Sequence, residues 1–309
     1  MSKKNLLLGG FLIILVSFSY LYMGPFKKWQ EDKNKIHNFL EGIDLDQVNK
    51  IAINRRGKEV VLEKDGDKWK ISGTKNFYAP DDVLSRAMEE LKKAQKSEMK
   101  LVSTNKDRKD EFKVDETGVN LKLENGDDIL KEIIIGKMSS DFKNNYVAQV
   151  DDDKIYSLEA ALDPVFNRED WYDKTIFKSD KEKISKIRFQ YPRKEFSIEK
   201  KDEKWSGVSP YKFKVSPEKI KDVLEIMSNL KAVKIPEQDF KNTGLEKNLI
   251  IIEAGGEGFN NVLMVGDAFK DDDQKEIEYY YAKKGDSDNI YLITKEQKES
   301  LEKNIWNLK

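Results

Sequence analysis

The 309-residue chain is long enough for two domains of ordinary size. Charged residues make up 37%, yet 56 Lys+Arg balance 57 Asp+Glu at a net charge of −1, and the lack of a basic excess argues against nucleic acid as a partner. Cysteine is absent, which excludes disulfides, thiolate metal sites, cysteine nucleophiles and lipid attachment at a cysteine.

A short tail, residues 1–5, carries Lys3 and Lys4. Leu6 to Met23 then runs without a charge. At ~1.5 Å per residue this run spans about 27 Å as a helix, close to the ~30 Å core of a bilayer. Gly24-Pro25 ends it, Lys27 and Lys28 follow, and Tyr20, Tyr22 and Trp29 stand where interfacial aromatics belong. Residues 6–23 therefore read as a transmembrane anchor, and 24–45 as a juxtamembrane linker. The rival reading is a cleaved signal peptide with an apolar core at Leu6–Val16 and small residues at Ser17 and Ser19. Against it, apolar character continues to Met23. Lysines at 27, 28, 33 and 35 outnumber those before the run, so charge does not set the orientation. A very short N-terminus ahead of an apolar run has the layout of an uncleaved signal sequence. The expected location is the cytoplasmic (inner) membrane, single-pass, with the body on the extracytoplasmic side.

The rest of the chain repeats itself. The stretch VNKIAINRRGKEVVLEKDGDKWKIS from Val48 matches ISKIRFQYPRKEFSIEKKDEKWSGV from Ile184, placing Trp69 on Trp205 without a gap. Ala79-Pro80-Asp81 then matches Ser216-Pro217-Glu218, Ile133–Gly136 matches Leu263–Gly266, and Ile155-Tyr156 matches Ile290-Tyr291. Trp171 matches Trp306. The expected domains are two tandem repeats, 46–178 and 179–309.

Within each repeat, Ile51 and Ile53 predict one strand, Val60–Leu62 a second, and Trp69 with Ile71 a third, with Lys64-Asp65-Gly66-Asp67 as a hairpin turn. A helix follows from Pro80, its first turn carrying Asp81 and Asp82 and its apolar face Val83, Ala87, Leu91 and Ala94. In the second repeat Ser216 is its N-cap and Ile220, Leu224, Met227 and Leu230 its stripe. Further strands are predicted at 119–124, 131–136, 145–150 and 154–158, then at 248–253, 261–266, 278–283 and 289–293. Asn125-Gly126 and Gly255-Gly256 mark turns. Thr294 and Gln297 form a capping box before a last helix with Leu301, Ile305 and Leu308 on its apolar side. Runs of adjacent strands with one main helix indicate an antiparallel α+β unit, present in two copies.

The order of landmarks is a V-x-x-I strand, a D-G-x-x-W hairpin and a Pro-started helix, then Phe112 and Val114 or Thr243-Gly244-Leu245. An apolar run into Gly136-Lys137, Tyr146-Val147, Ile155-Tyr156 and Trp171–Phe177 follow. This order resembles the bacterial domain-of-unknown-function family 4340 over roughly residues 46–309. The resemblance implies an N-terminally anchored extracytoplasmic protein. Genes of the family often lie beside an ABC transporter of the gliding-motility auxiliary type, so it also implies ABC-transporter membrane subunits as partners. It supplies no catalytic residues.

Chemistry is sparse. His37, the single histidine, lies in the linker next to the anchor, so a His-based triad or zinc site finds no support and His37 reads as a solvated linker residue. Asp151-Asp152-Asp153 and Asp271-Asp272-Asp273 invite calcium, but neither fits the spacing of a calcium loop. Gly255-Gly256-Glu257-Gly258 lacks the Lys-Ser/Thr of a phosphate loop. Trp69, Trp171, Trp205 and Trp306 recur, which favours core packing over an exposed binding platform. No catalytic, cofactor-binding or metal residue is expected, and no cofactor. The expected function is a non-catalytic accessory or scaffold. The alternative is a module that binds a cell-envelope polymer or a small ligand, and a carboxylate-based hydrolase stands behind both.

Overall fold

The computed structural model describes residues 36–247, 250–270 and 278–309. The apolar run at 6–23 and the acidic triplet at 271–273 lie outside the described residues. Among the described residues no helix is long and apolar enough to cross a membrane.

The first repeat lays down β1 (Lys50–Arg55), β2 (Lys58–Asp65) and β3 (Lys68–Ile71), then α1 (Asp81–Lys96). It continues with β4 (Lys100–Ser103), α2 (Lys109–Phe112), β5 (Val119–Asn125), β6 (Asp128–Met138), β7 (Asn145–Gln149), β8 (Ile155–Leu158), α3 (Leu162–Phe166) and β9 (Thr175–Lys178). The second repeat gives β10 (Ile184–Tyr191), β11 (Lys194–Lys201), β12 (Lys204–Ser209), β13 (Phe213–Lys214), α4 (Pro217–Ser228) and β14 (Asn229–Lys231). It ends with β15 (Ile250–Gly256), β16 (Phe259–Phe269), β17 (Tyr279–Lys284), β18 (Tyr291–Thr294), α5 (Lys295–Leu301) and α6 (Ile305–Leu308).

Two eight-stranded, mostly antiparallel sheets result, in the orders β3-β2-β1-β5-β6-β7-β8-β4 and β13-β12-β11-β10-β15-β16-β17-β18. The first-drawn hairpin of each repeat joins the later meander through one central pairing, β1 with β5 and β10 with β15. The repeat is thus visible as the same path of strands laid down twice in an α+β fold. The copies differ at one edge. β4 closes the first sheet on β8, whereas the matching stretch of the second repeat forms β14 on β9 in a separate two-stranded sheet.

By contacts the chain forms two compact units. One holds the described residues up to Lys64 with Asp81–Glu169, and the other holds Asp65–Pro80 with Asp170–Lys309. These units do not coincide with the repeats, because the arm made of β3 and the loop behind it belongs to the second unit. In the first unit α1 buries Leu84, Ala87, Leu91 and Ala94 and packs against α3, while the sheet buries Ile51, Leu121, Ile133 and Val147. In the second, α4 buries Ile220, Val223 and Met227 above Ile187, Ile252 and Leu263.

Both helix stripes differ from the expected ones, the first at one residue and the second at two. Leu84 is buried and Val83 only half-buried; at ~100° per residue the two lie about equally far, on opposite sides, from the centre of the 87-91-94 stripe, so helix spacing alone does not choose between them. Val223 is likewise buried where Leu224 is half-buried. Leu230 is buried but lies beyond the end of α4, in β14. Gly255-Gly256 close β15 rather than turn, and the turn falls at Glu257-Gly258, where Gly258 takes φ +82°. The capping box of Thr294 and Gln297 is present, and the last helix is split into α5 and α6.

The apolar run ending in glycine has one structural meaning in both copies. The register of β6 against β7 shifts between Ile135 and Met138, and that of β16 against β17 between Val265 and Ala268. At each bulge a main-chain carbonyl from earlier in the chain, at the end of α2 in one copy and in a loop in the other, comes against the glycine. A Cβ on Gly136 would lie 2.3 Å from the Phe112 oxygen, and one on Gly266 2.1 Å from the Thr243 oxygen.

Candidate functional site

The start of the described chain is fastened to the first unit. Asn38 Nδ2 donates to the carbonyls of Ala94 (2.7 Å), Ser97 (3.0 Å) and Gln95 (3.2 Å), satisfying oxygens that the end of α1 leaves open. Gln95 Nε2 answers by donating to Leu40 and Ile43 oxygens at 3.1 and 2.7 Å. Beside this lock lies an open cleft of about 870 Å³ lined by Ile36, His37, Glu41, Gln95 and Met99. His37 is exposed on it.

The acidic triplet at 151–153 is a turn. Asp151 takes φ +63°, Asp152 accepts from the Lys154 amide (3.0 Å) and the Tyr156 hydroxyl (3.3 Å), and Asp153 faces Lys109 at 3.9 Å. Among the described residues no group of three or more His, Asp or Glu side chains is placed to hold a metal ion. Glu111, Glu195 and Glu278 are held below the usual carboxylate range by hydrogen bonds from Arg108, Arg188 and Lys295. A general acid requires a shift in the other direction.

The tryptophans divide. Trp171 and Trp205 are buried, at 1% and 8% exposure, and Trp69 is half-buried. Trp306 breaks the expected pattern at 78% exposure. It stands on α6 near Tyr211, 48% exposed, and buried Phe213. The Lys309 ammonium lies 4.5 Å from the Trp306 ring centre, 5.6 Å from that of Tyr211 and 6.0 Å from that of Phe213. Nothing in the sequence marks Tyr211 or Phe213, since neither has a motif or a periodic partner.

Local structure holds these rings in place. Leu308 is buried and its carbonyl accepts from the Ser216 amide at 2.8 Å, while Asn304 caps α6 through the Asn307 amide at 2.9 Å. Phe213 lies on Gly207, where an added Cβ would meet its ring at 2.0 Å. The stretch before α6 is clamped by Tyr191, whose hydroxyl donates to the Leu301 carbonyl (2.7 Å) and accepts from the Lys303 amide (2.8 Å). Burial pushes the Tyr191 hydroxyl well above its ordinary pKa. Tyr191→Phe is expected to cost about 1–3 kcal/mol and to raise amide exchange across 301–308. Because the unfolded tyrosine ionises near pH ~10 and the folded one resists ionisation, stability falls as pH rises past that value. The Phe variant is expected to lose part of that alkaline sensitivity, as read from denaturant midpoints at pH 8 and above 10.

No curated protein and no solved structure matches the chain. The family model described as "Domain of unknown function (DUF4340)" matches it twice, over residues 69–248 and 205–308. The two matches begin on Trp69 and Trp205, the equivalent tryptophans of the repeat. With the match extending over most of its length and starting once in each copy, the chain belongs to the DUF4340 family.

Proposed function

We propose that this protein is a membrane-anchored extracytoplasmic accessory or scaffold protein that works in an ABC-type transporter complex, without catalysis of its own. The observation that carries the reading is the lock at Asn38 and Gln95. Only fourteen residues separate Met23, the end of the apolar run, from Asn38, so the first unit is held within about 50 Å of that point even if the chain between is fully extended. A body fastened this closely to an anchor suits presentation of a protein-binding surface near a membrane complex. The genomic neighbourhood implied by the family points to ABC-transporter membrane subunits. The alternative, a module for an envelope polymer or small ligand, is favoured by one feature, the exposed Trp306 and Tyr211.

Two experiments test the reading. The chain has no cysteine, so Glu257→Cys in the exposed β15–β16 turn creates a unique thiol. A membrane-impermeant maleimide should label it in intact spheroplasts, and labelling only after lysis overturns the orientation. Gentle solubilisation and capture through an N-terminal tag should recover ABC-transporter membrane subunits in stoichiometric amount. Recovery should be lost when residues 46–309 are deleted and the anchor is kept. Recovery of the chain alone, under conditions that keep known membrane complexes intact, overturns the accessory reading and favours the ligand-binding one.

A further inference from the structure

We propose that Tyr211, Phe213 and Trp306 form a recognition site for an alkylammonium group, and that the Lys309 side chain is its built-in competitor. Three ring centres lie within 6.0 Å of a single nitrogen, the Lys309 ammonium. Aromatic faces attract cations at that range, and several rings around one point are how proteins hold alkylated ammonium groups. The site is open, since Trp306 and Tyr211 project into solvent, and it is braced, since Phe213 is buried against Gly207 and Leu308 fixes α6.

Comparison of the copies shows that this exposure is not imposed by the repeat. The matching tryptophan, Trp171, is 1% exposed. Phe77, which accepts through its carbonyl from Ile71 as Phe213 pairs with Gly207, is 2% exposed. The tryptophan position is covered in one copy and left open in the other, the phenylalanine is buried in both, and neighbouring exposed aromatics such as Trp306 and Tyr211 commonly mark a binding site. The occupant present is a primary ammonium on an alkyl chain, which sets the class of ligand. A divalent metal is disfavoured because rings supply no set of oxygen ligands. A quaternary ammonium sheds water more readily than a primary one and should displace Lys309.

The proposal does not depend on the accessory reading and is tested separately from it. The full chain in neutral detergent is titrated with tetramethylammonium chloride and, in parallel, with Nα-acetyl-lysine methylamide. Sodium chloride serves as the ionic-strength control, and tryptophan fluorescence is the readout. Saturable change at millimolar concentration is expected, as suits a few exposed cation–ring contacts. It should vanish in Trp306→Ala, weaken in Gly207→Ala and move to at least about threefold lower concentration in Lys309→Met. Tighter binding of tetramethylammonium identifies a quaternary small molecule as the source, and tighter binding of the lysine amide identifies a partner's lysine. If neither probe exceeds the salt control in wild type and in Lys309→Met, both with native circular dichroism, the proposal is overturned.

Discussion

Phe77→Ala is expected to cost about 3–5 kcal/mol, and to do so in the second unit although Phe77 belongs to the first repeat. Phe77 is 2% exposed and sits edge-on to two rings, Tyr172 at 5.3 Å and Tyr291 at 5.8 Å. The adjacent Asn76 carbonyl accepts from Asn289 Nδ2 at 3.0 Å. Truncation removes the buried ring and also two aromatic pairs, each worth about 0.5–1.5 kcal/mol beyond area. Hydrogen exchange in the variant should rise first around Asn289–Tyr291 and through β17 and β18. A loss under 1 kcal/mol, or exchange that rises only within residues 36–64 and 81–169, would show that the arm is not part of the second core. By the same argument a fragment of residues 179–309, cut at the repeat boundary, should fail to fold. It lacks Phe77, Tyr172 and β9, the partner of β14.

Most of the path of the chain is legible in its residues. Alternation at Ile51 and Ile53, the hairpin glycines at 66 and 126, the capping box at Thr294 and the matched tryptophans place the hairpin and meander strands of both copies and both main helices within a few residues, but not the short edge strands β4, β9, β13 and β14. These signals are local, or local and repeated, and the backbone obeys them in both copies. The arm at 65–80 was not legible. Nothing in the periodicity of β3 says which core will cover Phe77, because burial at the end of a hairpin depends on what lies across it. Trp306 shows the same limit from the other side. Recurrence established that Trp171 and Trp306 occupy equivalent backbone positions, and core packing was the natural inference for both. Equivalent positions do not guarantee equivalent neighbours, and the second copy leaves its tryptophan open. The site at Tyr211 and Phe213 was invisible for a related reason. It is assembled from a loop, a two-residue strand and a short helix nearly a hundred residues apart, with no spacing that a sequence pattern could carry.

The glycine that ends the apolar run is the landmark whose meaning the structure changes most, from a soft motif to a steric requirement. Gly266→Ala should destabilise by at least about 2–3 kcal/mol, since the atom met at 2.1 Å is a main-chain carbonyl that moves only with its loop. Gly136→Ala should cost about as much, against the Phe112 carbonyl at 2.3 Å. Gly258→Ala is the control. Its φ of +82° strains alanine, but nothing lies within 4 Å, so about 1 kcal/mol is expected. In a Trp29→Phe background the remaining tryptophans, Trp69, Trp171, Trp205 and Trp306, all belong to the second unit, which makes fluorescence in a urea titration a report on that unit. Gly266→Ala should lower the fluorescence midpoint directly. Gly136→Ala should lower the circular dichroism midpoint, and it moves the fluorescence midpoint with it only if the two units unfold together. If Gly266→Ala costs no more than Gly258→Ala, the close approach at the bulge does not hold, and with it falls the reason both copies carry glycine there.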